Sequence, residues 1–185
     1  MKWMEEARAE RVLDLGGGSG RDSTFFARNG LKAWCLDFSS NALKLCRERA
    51  TRDGLQGRVE PVLHDMIDQL QFPDSFFDSV FAHLAVHYFD DSTTSRLFSE
   101  IRRVLSPSGL LFVRVKSTDD PGYGVGTKVG EDMYESHHIR HFFSREYLLQ
   151  KTESFQALAL RQTREKGKYD TTEEASVYWD LIARK

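Results

Sequence analysis

Short apolar runs alternate with helical patterns from Arg11 to Lys116, the layout of βαβ units wound into a parallel sheet with helices on both faces. The spacing predicts a strand over Val12–Leu15, a helix from about Ser23 to Asn29 with Gly30 as its left-handed cap, and a second strand over Lys32–Leu36. Ser39 or Ser40 stands where a helix cap belongs. Ala42, Leu43, Cys46 and Ala50 then share one apolar face, while the Arg and Glu residues between them face water. Gly54 stops that helix. A third strand is predicted over Val59–Leu63 and a fourth from Phe77 to about His83, after the Pro73-Asp74-Ser75 turn.

The clearest periodic segment follows. With Asp91 or Ser92 as cap, Leu97, Phe98, Ile101, Val104 and Leu105 recur as one buried stripe and Arg102 and Arg103 point outward. Ser106-Pro107-Ser108-Gly109 ends the helix, and Leu110–Lys116 is nearly continuous in apolar residues, as a central strand covered on both faces should be. From Ser117 to Arg140 no period is evident; Gly122, Gly124, Gly126 and Gly130 alternate with acids, Tyr123 and Tyr134. Loops beyond about 12 to 15 residues are uncommon unless they act as lids or binding loops. Residues 117–140 are therefore predicted to be a lid, with the tyrosines and His141 lining its pocket. Ser144 caps a short helix through Leu149, and strands over Ala157–Thr163 and Val177–Arg184 are joined by a charged hairpin containing Arg161, Arg164, Lys166 and Lys168. The 185 residues form one domain, 1–185.

Candidate chemistry gathers at the carboxyl ends of the predicted strands, where open α/β sheets bind ligands. Strand one runs into Asp14-Leu15-Gly16-Gly17-Gly18-Ser19-Gly20-Arg21. A dinucleotide fingerprint beginning at Gly16 would need a glycine at position 21, where Arg21 stands; the run instead reads D-x-G-x-G-x-G. Asp37, with Phe38 beside it, ends strand two, where a carboxylate can accept two ribose hydroxyls. It would serve equally as a helix cap. After strand three come Asp65, able to accept from an exocyclic amine or to form a turn, and Met66, a soft side chain able to cover a ring. His83, His87 and Tyr88 lie at the mouth of the site if strand four ends as predicted, and each also fits a core or rim position.

This series resembles the class I S-adenosylmethionine-dependent methyltransferases over most of the chain, from about Arg11 to Lys185. The resemblance implies a Rossmann-like α/β fold: a doubly wound sheet, mostly parallel, with an antiparallel C-terminal strand inserted beside strand five, the seven-stranded methyltransferase architecture. It implies S-adenosylmethionine as cofactor, with Gly16, Gly17 and Gly18 at its methionine part, Asp14 bracing the loop, Asp37 at the ribose, Asp65 at the adenine amine with Met66 against the ring, and Phe38 and His83 also in the cofactor site. His87, Tyr88 and His141 are candidates for work on the acceptor. More narrowly, Gly20-Arg21-Asp22-Ser23, Ser117-Thr118-Asp119-Asp120 and His141-Phe142-Phe143-Ser144 resemble the small tellurite-resistance-type methyltransferases and their uncharacterised relatives. Such relatives carry N-terminal helices over the cofactor, for which Met1–Glu10 is too short. An open site, closure by residues 117–140 or by a second subunit of a homodimer, and a late start of this chain are the alternatives.

Composition narrows the partners. Lys and Arg number 26 against 28 Asp and Glu, a formal net charge of -2, so no global positive field exists for nucleic acid or an anionic membrane. A small-molecule methyl acceptor is expected instead, and the acceptor signature Asp or Asn-Pro-Pro-aromatic of amino-group methylation is absent. No run approaches the roughly 18 apolar residues of a membrane span. Cys35 and Cys46 have neither metal nor disulfide-framework spacing, and the chain is expected to be cytoplasmic with both thiols reduced. His137, His138 and His141 invite a metal reading, because 137 and 141 would share a helix face, but no carboxylate or thiol at matching spacing completes a shell, so no metal is expected. Two other readings use the same glycine loop: a cofactor-binding module without turnover, and a nicotinamide-dependent oxidoreductase, which Arg21 and the lack of a Tyr-x-x-x-Lys pair disfavour.

Overall fold

The computed structural model describes residues 1–166 and 174–185; Lys168 of the predicted basic hairpin lies outside them. The first half of the chain is strictly alternating: β1 (Arg11–Leu15), α2 (Arg21–Arg28), β2 (Lys32–Asp37), α3 (Ser40–Arg52) and β3 (Val59–Leu63), preceded by a short helix α1 (Lys2–Glu6). Then come β4 (Phe77–His83), α4 (Asp91–Val104), β5 (Leu105–Lys116), α5 (Arg145–Lys151), β9 (Gln156–Glu165) and β10 (Ser176–Arg184), with β6 (Thr127–Gly130), β7 (Met133–Glu135) and β8 (Ile139–His141) between β5 and α5. Seven strands form one sheet in the order β3-β2-β1-β4-β5-β10-β9. The first five are parallel and β10 is antiparallel to both neighbours. This is the Rossmann-like sheet, with an antiparallel C-terminal strand beside β5, that the resemblance implies.

Strand alternation sorts the core into two layers. Leu13 and Leu15 of β1 join the cluster containing Leu97, Phe98, Ile101 and Val104 of α4 and Leu148 of α5. Val12, on the opposite face, packs with Phe26 of α2, Ala33 of β2 and Met4 of α1. Met4 explains α1, which no sequence period announced: one buried side chain pins a single turn and a half onto the sheet. Asp14 shares the face of Val12, so its carboxylate is carried under α2 rather than toward solvent.

The element ends differ from expectation in instructive ways. The cap of α4 is Asp90, one residue earlier than predicted, with its Oδ1 accepting the Thr93 N–H at 2.7 Å. The segment Ser106–Gly109 does not separate α4 from a later strand: β5 begins at Leu105, which pairs with Phe77, and the register shifts before Ser79 meets Leu110. Arg103 does not simply point outward. Its guanidinium donates to the carbonyls of Leu70 and Phe72, each at 2.8 Å, and to Glu100 and Asp74. The largest correction concerns residues 117–140, which contain a three-stranded antiparallel sheet, β6-β7-β8, in place of an unstructured loop. His137 and His141 consequently share no helix face.

Arg103 holds two carbonyls of a connection that has no regular structure of its own. Arg103→Met is expected to cost about 1.5–3 kcal/mol, because those acceptors lose charged donors. Asp74→Ala is expected to cost under about 0.5 kcal/mol, since that carboxylate is 78% exposed. Urea denaturation of the two variants checks the contrast.

Candidate functional site

The site is built where β1 and β4 diverge, at the point where the direction of winding reverses. Gly16 and Gly17 both donate their N–H to the Leu36 carbonyl, at 2.9 and 3.0 Å, which folds the end of β1 over the end of β2. Gly16, Gly18 and Gly20 have φ of 72°, 54° and 71°, conformations that side-chain-bearing residues adopt only at a cost. Space is also limiting. A Cβ on Gly16 would lie 2.6 Å from Ala85 Cβ, one on Gly17 2.7 Å from both Asp14 Oδ2 and Cys35 Sγ, and one on Gly20 would collide with Cys46 Sγ. Gly18 alone of these has nothing within 4 Å, so the open side of the turn is at Gly18. There the backbone presents a bare surface to a ligand.

Asp14 lies below this turn, 2% exposed, and accepts from Ser23 Oγ at 2.5 Å. Burial pushes its carboxyl up to about 7, against the opposing pull of the Ser23 hydrogen bond. The thiols of Cys35 and Cys46 fill the remaining space, both free and both buried. Contact with Cys46, then burial, drives the Cys35 thiol upward. Neither thiol is exposed to a ligand.

Asp37 closes the turn from the side. Its Oδ2 accepts the Gly18 N–H at 2.9 Å and its Oδ1 accepts the Ser39 N–H at 2.8 Å. Asp37 is not the cap of α3: that is Ser39, whose Oγ accepts the Ala42 N–H at 3.2 Å. An ionised carboxylate has about four acceptor sites, and two backbone donors leave capacity for two hydroxyls. Phe38 is 72% exposed, an aromatic ring left in water beside that carboxylate. Met66, 8% exposed, brings its Cε to 3.2 Å from where a Gly16 Cβ would be. Asp65 forms a turn through Ile67 N–H to its Oδ1 at 3.1 Å, with its second oxygen making no hydrogen bond to the described residues. His64, which sequence reasoning passed over, has a buried Nε2 without a partner, and its backbone N–H donates to the Asp37 carbonyl at 3.1 Å.

The loop after β4 carries the remaining candidates. His83 stacks on Phe81, with ring centroids 5.8 Å apart, and burial lowers its pKa. Asp22 and Arg21 of the first turn of α2 act on it electrostatically. His87 is 1% exposed, and its Nδ1 accepts the backbone N–H of Lys116 at 3.3 Å. Burial, then the charge of Arg140, holds its pKa well below the usual value. It is thus neutral, with its proton on Nε2, and can donate there. Tyr88 is 39% exposed, its ring 4.6 Å from that of His87. His141 is brought to the same loop but packs inward: it is 4% exposed, lies against Phe143 and Tyr147, and places Nδ1 3.0 Å from the Phe89 carbonyl. A carbonyl can only accept, so Nδ1 holds the proton and His141 acts as a tie.

Lys116, another residue the sequence did not single out, binds Asp120 at 2.7 Å and Ser176 from a buried position. Asp120 in turn accepts the Val177 and Gly122 N–H groups, so the turn after β5 is fastened to β10. A groove of about 370 Å³ runs beside the site between Ile67, Tyr88, Phe89, Arg96, Met133 and Ile139. The small sheet thus contributes Met133 and Ile139 to this groove. Tyr123 and Tyr134 instead pack on each other and on Phe142. No three His, Cys, Asp or Glu side chains come together as a metal site among the described residues.

Residues 12–109, more than half of the chain, match the family model for a methyltransferase domain. The chain belongs to that family, whose class I members use S-adenosylmethionine. Among curated proteins it is 32% identical over 106 residues to the ubiquinone/menaquinone biosynthesis C-methyltransferase UbiE of Bordetella avium, covering 56% of this chain and 40% of that protein. The chain spans about 40% of the length of the curated relatives it matches. A SAM-dependent methyltransferase structure from Methanosarcina mazei superposes with a TM-score of 0.84 over 95% of this chain and 92% of that one, at 22% identity. TehB of Haemophilus influenzae gives 0.78 over 100% of this chain and 60% of that one at 15% identity. At these identities the two structures establish the fold, which is the one the sequence implied.

Two outcomes follow from the packing under the turn. Gly18→Ala should carry only the left-handed backbone cost, about 1–2 kcal/mol, whereas Gly20→Ala adds the clash with Cys46 and should lose clearly more in urea titrations. Asp14 keeps its proton in the folded state up to about pH 7 but loses it near 4 when unfolded. Stability should therefore fall as pH rises from about 4 to 7, because the folded state binds the extra proton in that window. Asp14→Asn should remove this slope, by close to one proton, in denaturation midpoints measured across it.

Proposed function

We propose that this chain catalyses transfer of a methyl group from S-adenosylmethionine to a small-molecule acceptor by in-line displacement. The observation that carries the reading is the Gly18 N–H to Asp37 Oδ2 hydrogen bond, 2.9 Å long. It sets an uncovered glycine backbone and a carboxylate with spare acceptor capacity side by side at the ends of β1 and β2. When bound, the cofactor supplies an electrophilic methyl on a sulfonium whose departure leaves a neutral thioether. The chain's task is alignment and exclusion of water. Gly16 to Gly18 line the methionine end, Asp37 accepts from the ribose, Phe38 and Met66 flank the base, and the second Asp65 oxygen faces its amine. His87, neutral and protonated on Nε2, offers a hydrogen bond and takes no proton from the acceptor.

A small acceptor is supported by the net charge of -2, which offers nothing to a phosphate backbone, and by the curated relatives named for quinone biosynthesis. The free, buried thiols suit a reducing compartment such as the cytoplasm. No helix among the described residues is long and apolar enough to cross a membrane.

Calorimetry with S-adenosylmethionine, S-adenosylhomocysteine and NADH tests the reading. Micromolar binding of the first two and none of NADH is expected; NADH binding without the others would overturn it. Asp37→Ala should weaken the cofactor by about 1.5–3 kcal/mol through loss of charged hydrogen bonds. Turnover is read as S-adenosylhomocysteine released with a panel of phenols, thiols and carboxylic acids.

A further inference from the structure

Beyond the cofactor cradle, basic side chains converge around the loop after β4. Arg140 of β8 places Nη2 2.7 Å from His138 Nε2. A guanidinium has no lone pair to offer, so His138 accepts here and is neutral. The His138 ring stands 5.4 Å from that of Tyr88, which in turn stands 4.6 Å from that of His87. Burial, then the charges of Arg140 and Lys116, hold the His87 imidazole in its neutral form. Lys116 is neutralised by Asp120. Arg140 has no carboxylate within ion-pair distance among the described residues, and its Nε is buried without a hydrogen-bond partner.

That last atom is the informative one. A buried donor on a charged group left unsatisfied is costly, and native structures rarely keep one without a partner supplied from elsewhere. The aspartates of the same segment do not supply it: Asp132 accepts from Tyr123, Asp120 from Lys116, and Asp119 from Gln162. The Nε–H edge of a guanidinium, with its neighbouring Nη–H, fits the two oxygens of a planar carboxylate. An aromatic or conjugated body attached to that carboxylate would have the half-exposed Tyr88 ring to rest on.

We propose that Arg140 is an acceptor-binding residue, held in place by His138, and that the methyl acceptor of this chain carries a carboxylate or equivalent planar oxyanion which Arg140 receives beside Tyr88 and His87. The inference rests on the methyltransferase reading above and narrows its acceptor class. His138 is a positioning residue in this scheme, since it acts through Arg140.

The experiment uses the full chain saturated with S-adenosylhomocysteine, so that cofactor binding is scored first and separately; its failure would count against the methyltransferase reading alone. Benzoate and its neutral isostere benzamide are then titrated. Benzoate should bind at least about tenfold more tightly than benzamide, the difference expected for a charged hydrogen-bonded pair. Arg140→Met should abolish that preference while S-adenosylhomocysteine affinity stays unchanged. Arg140→Lys, which keeps the charge but loses the fork, should retain only part of it. Equal binding of benzoate and benzamide to the parent chain would overturn the proposal without recourse to any variant, as would full benzoate affinity in Arg140→Met.

Discussion

One hydrogen bond organises the cradle: the Gly18 N–H given to Asp37 Oδ2. It joins the turns that follow two adjacent parallel strands, so neither turn can move without the other. The same constraint explains why glycines stand at 16, 17 and 20. The turn must lie flat against Ala85, Asp14, Cys35 and Cys46, and any Cβ at those positions would lift it off Asp37. The alternation of β1 places Asp14 directly beneath, where a polar side chain can reach Ser23 and brace α2 from its first turn. A carboxyl that stays protonated into the neutral range suits this place, because a second full negative charge beside Asp37 would repel it.

The acceptor side is assembled differently. It depends on strand ends and short ladders that come from distant parts of the chain. His141 N–H donates to the His87 carbonyl and Phe143 N–H to the Lys116 carbonyl, each within 2.9 Å, so β8 and its continuation sew the loop after β4 to the end of β5. The backbone of Lys116 fixes the tautomer of His87 while its side chain anchors the turn to β10. Above this seam stands Arg140, which has no ion-pair partner among the described residues, while Lys116 is engaged by Asp120.

The parallel half of the fold was readable from the chain because its signals are long and mutually consistent: apolar strands bounded by glycine, capped amphipathic helices, and a turn sequence at the switch point. The glycine turn, Asp37, Met66 and Asp65 do come together, since in this topology all strand ends share one edge. What escaped notice has a common cause. Strands of 4, 3 and 3 residues, as in β6, β7 and β8, are too short to show a period. Arg103 and Lys116 draw part of their roles from groups far along the chain: the carbonyls of Leu70 and Phe72 lie 33 and 31 positions from Arg103, and Ser176 lies 60 positions from Lys116. Pairings at that separation leave no local pattern. His141 shows the reverse: a residue type that invites chemistry, spent on packing.

The placement of β10 has a consequence for biosynthesis. It lies between β5 and β9 although it follows both in the chain, and its ladder with β5 runs from Tyr178 to Arg184. Until residues 176–184 have been made, β9 has no lane to occupy, and β5 is an open edge, apolar from Leu110 to Val113, able to pair with another nascent chain. The late arrival of Val177, Leu181 and Ala183, each essentially inaccessible to solvent once in place, both seals that edge and draws β9 into register.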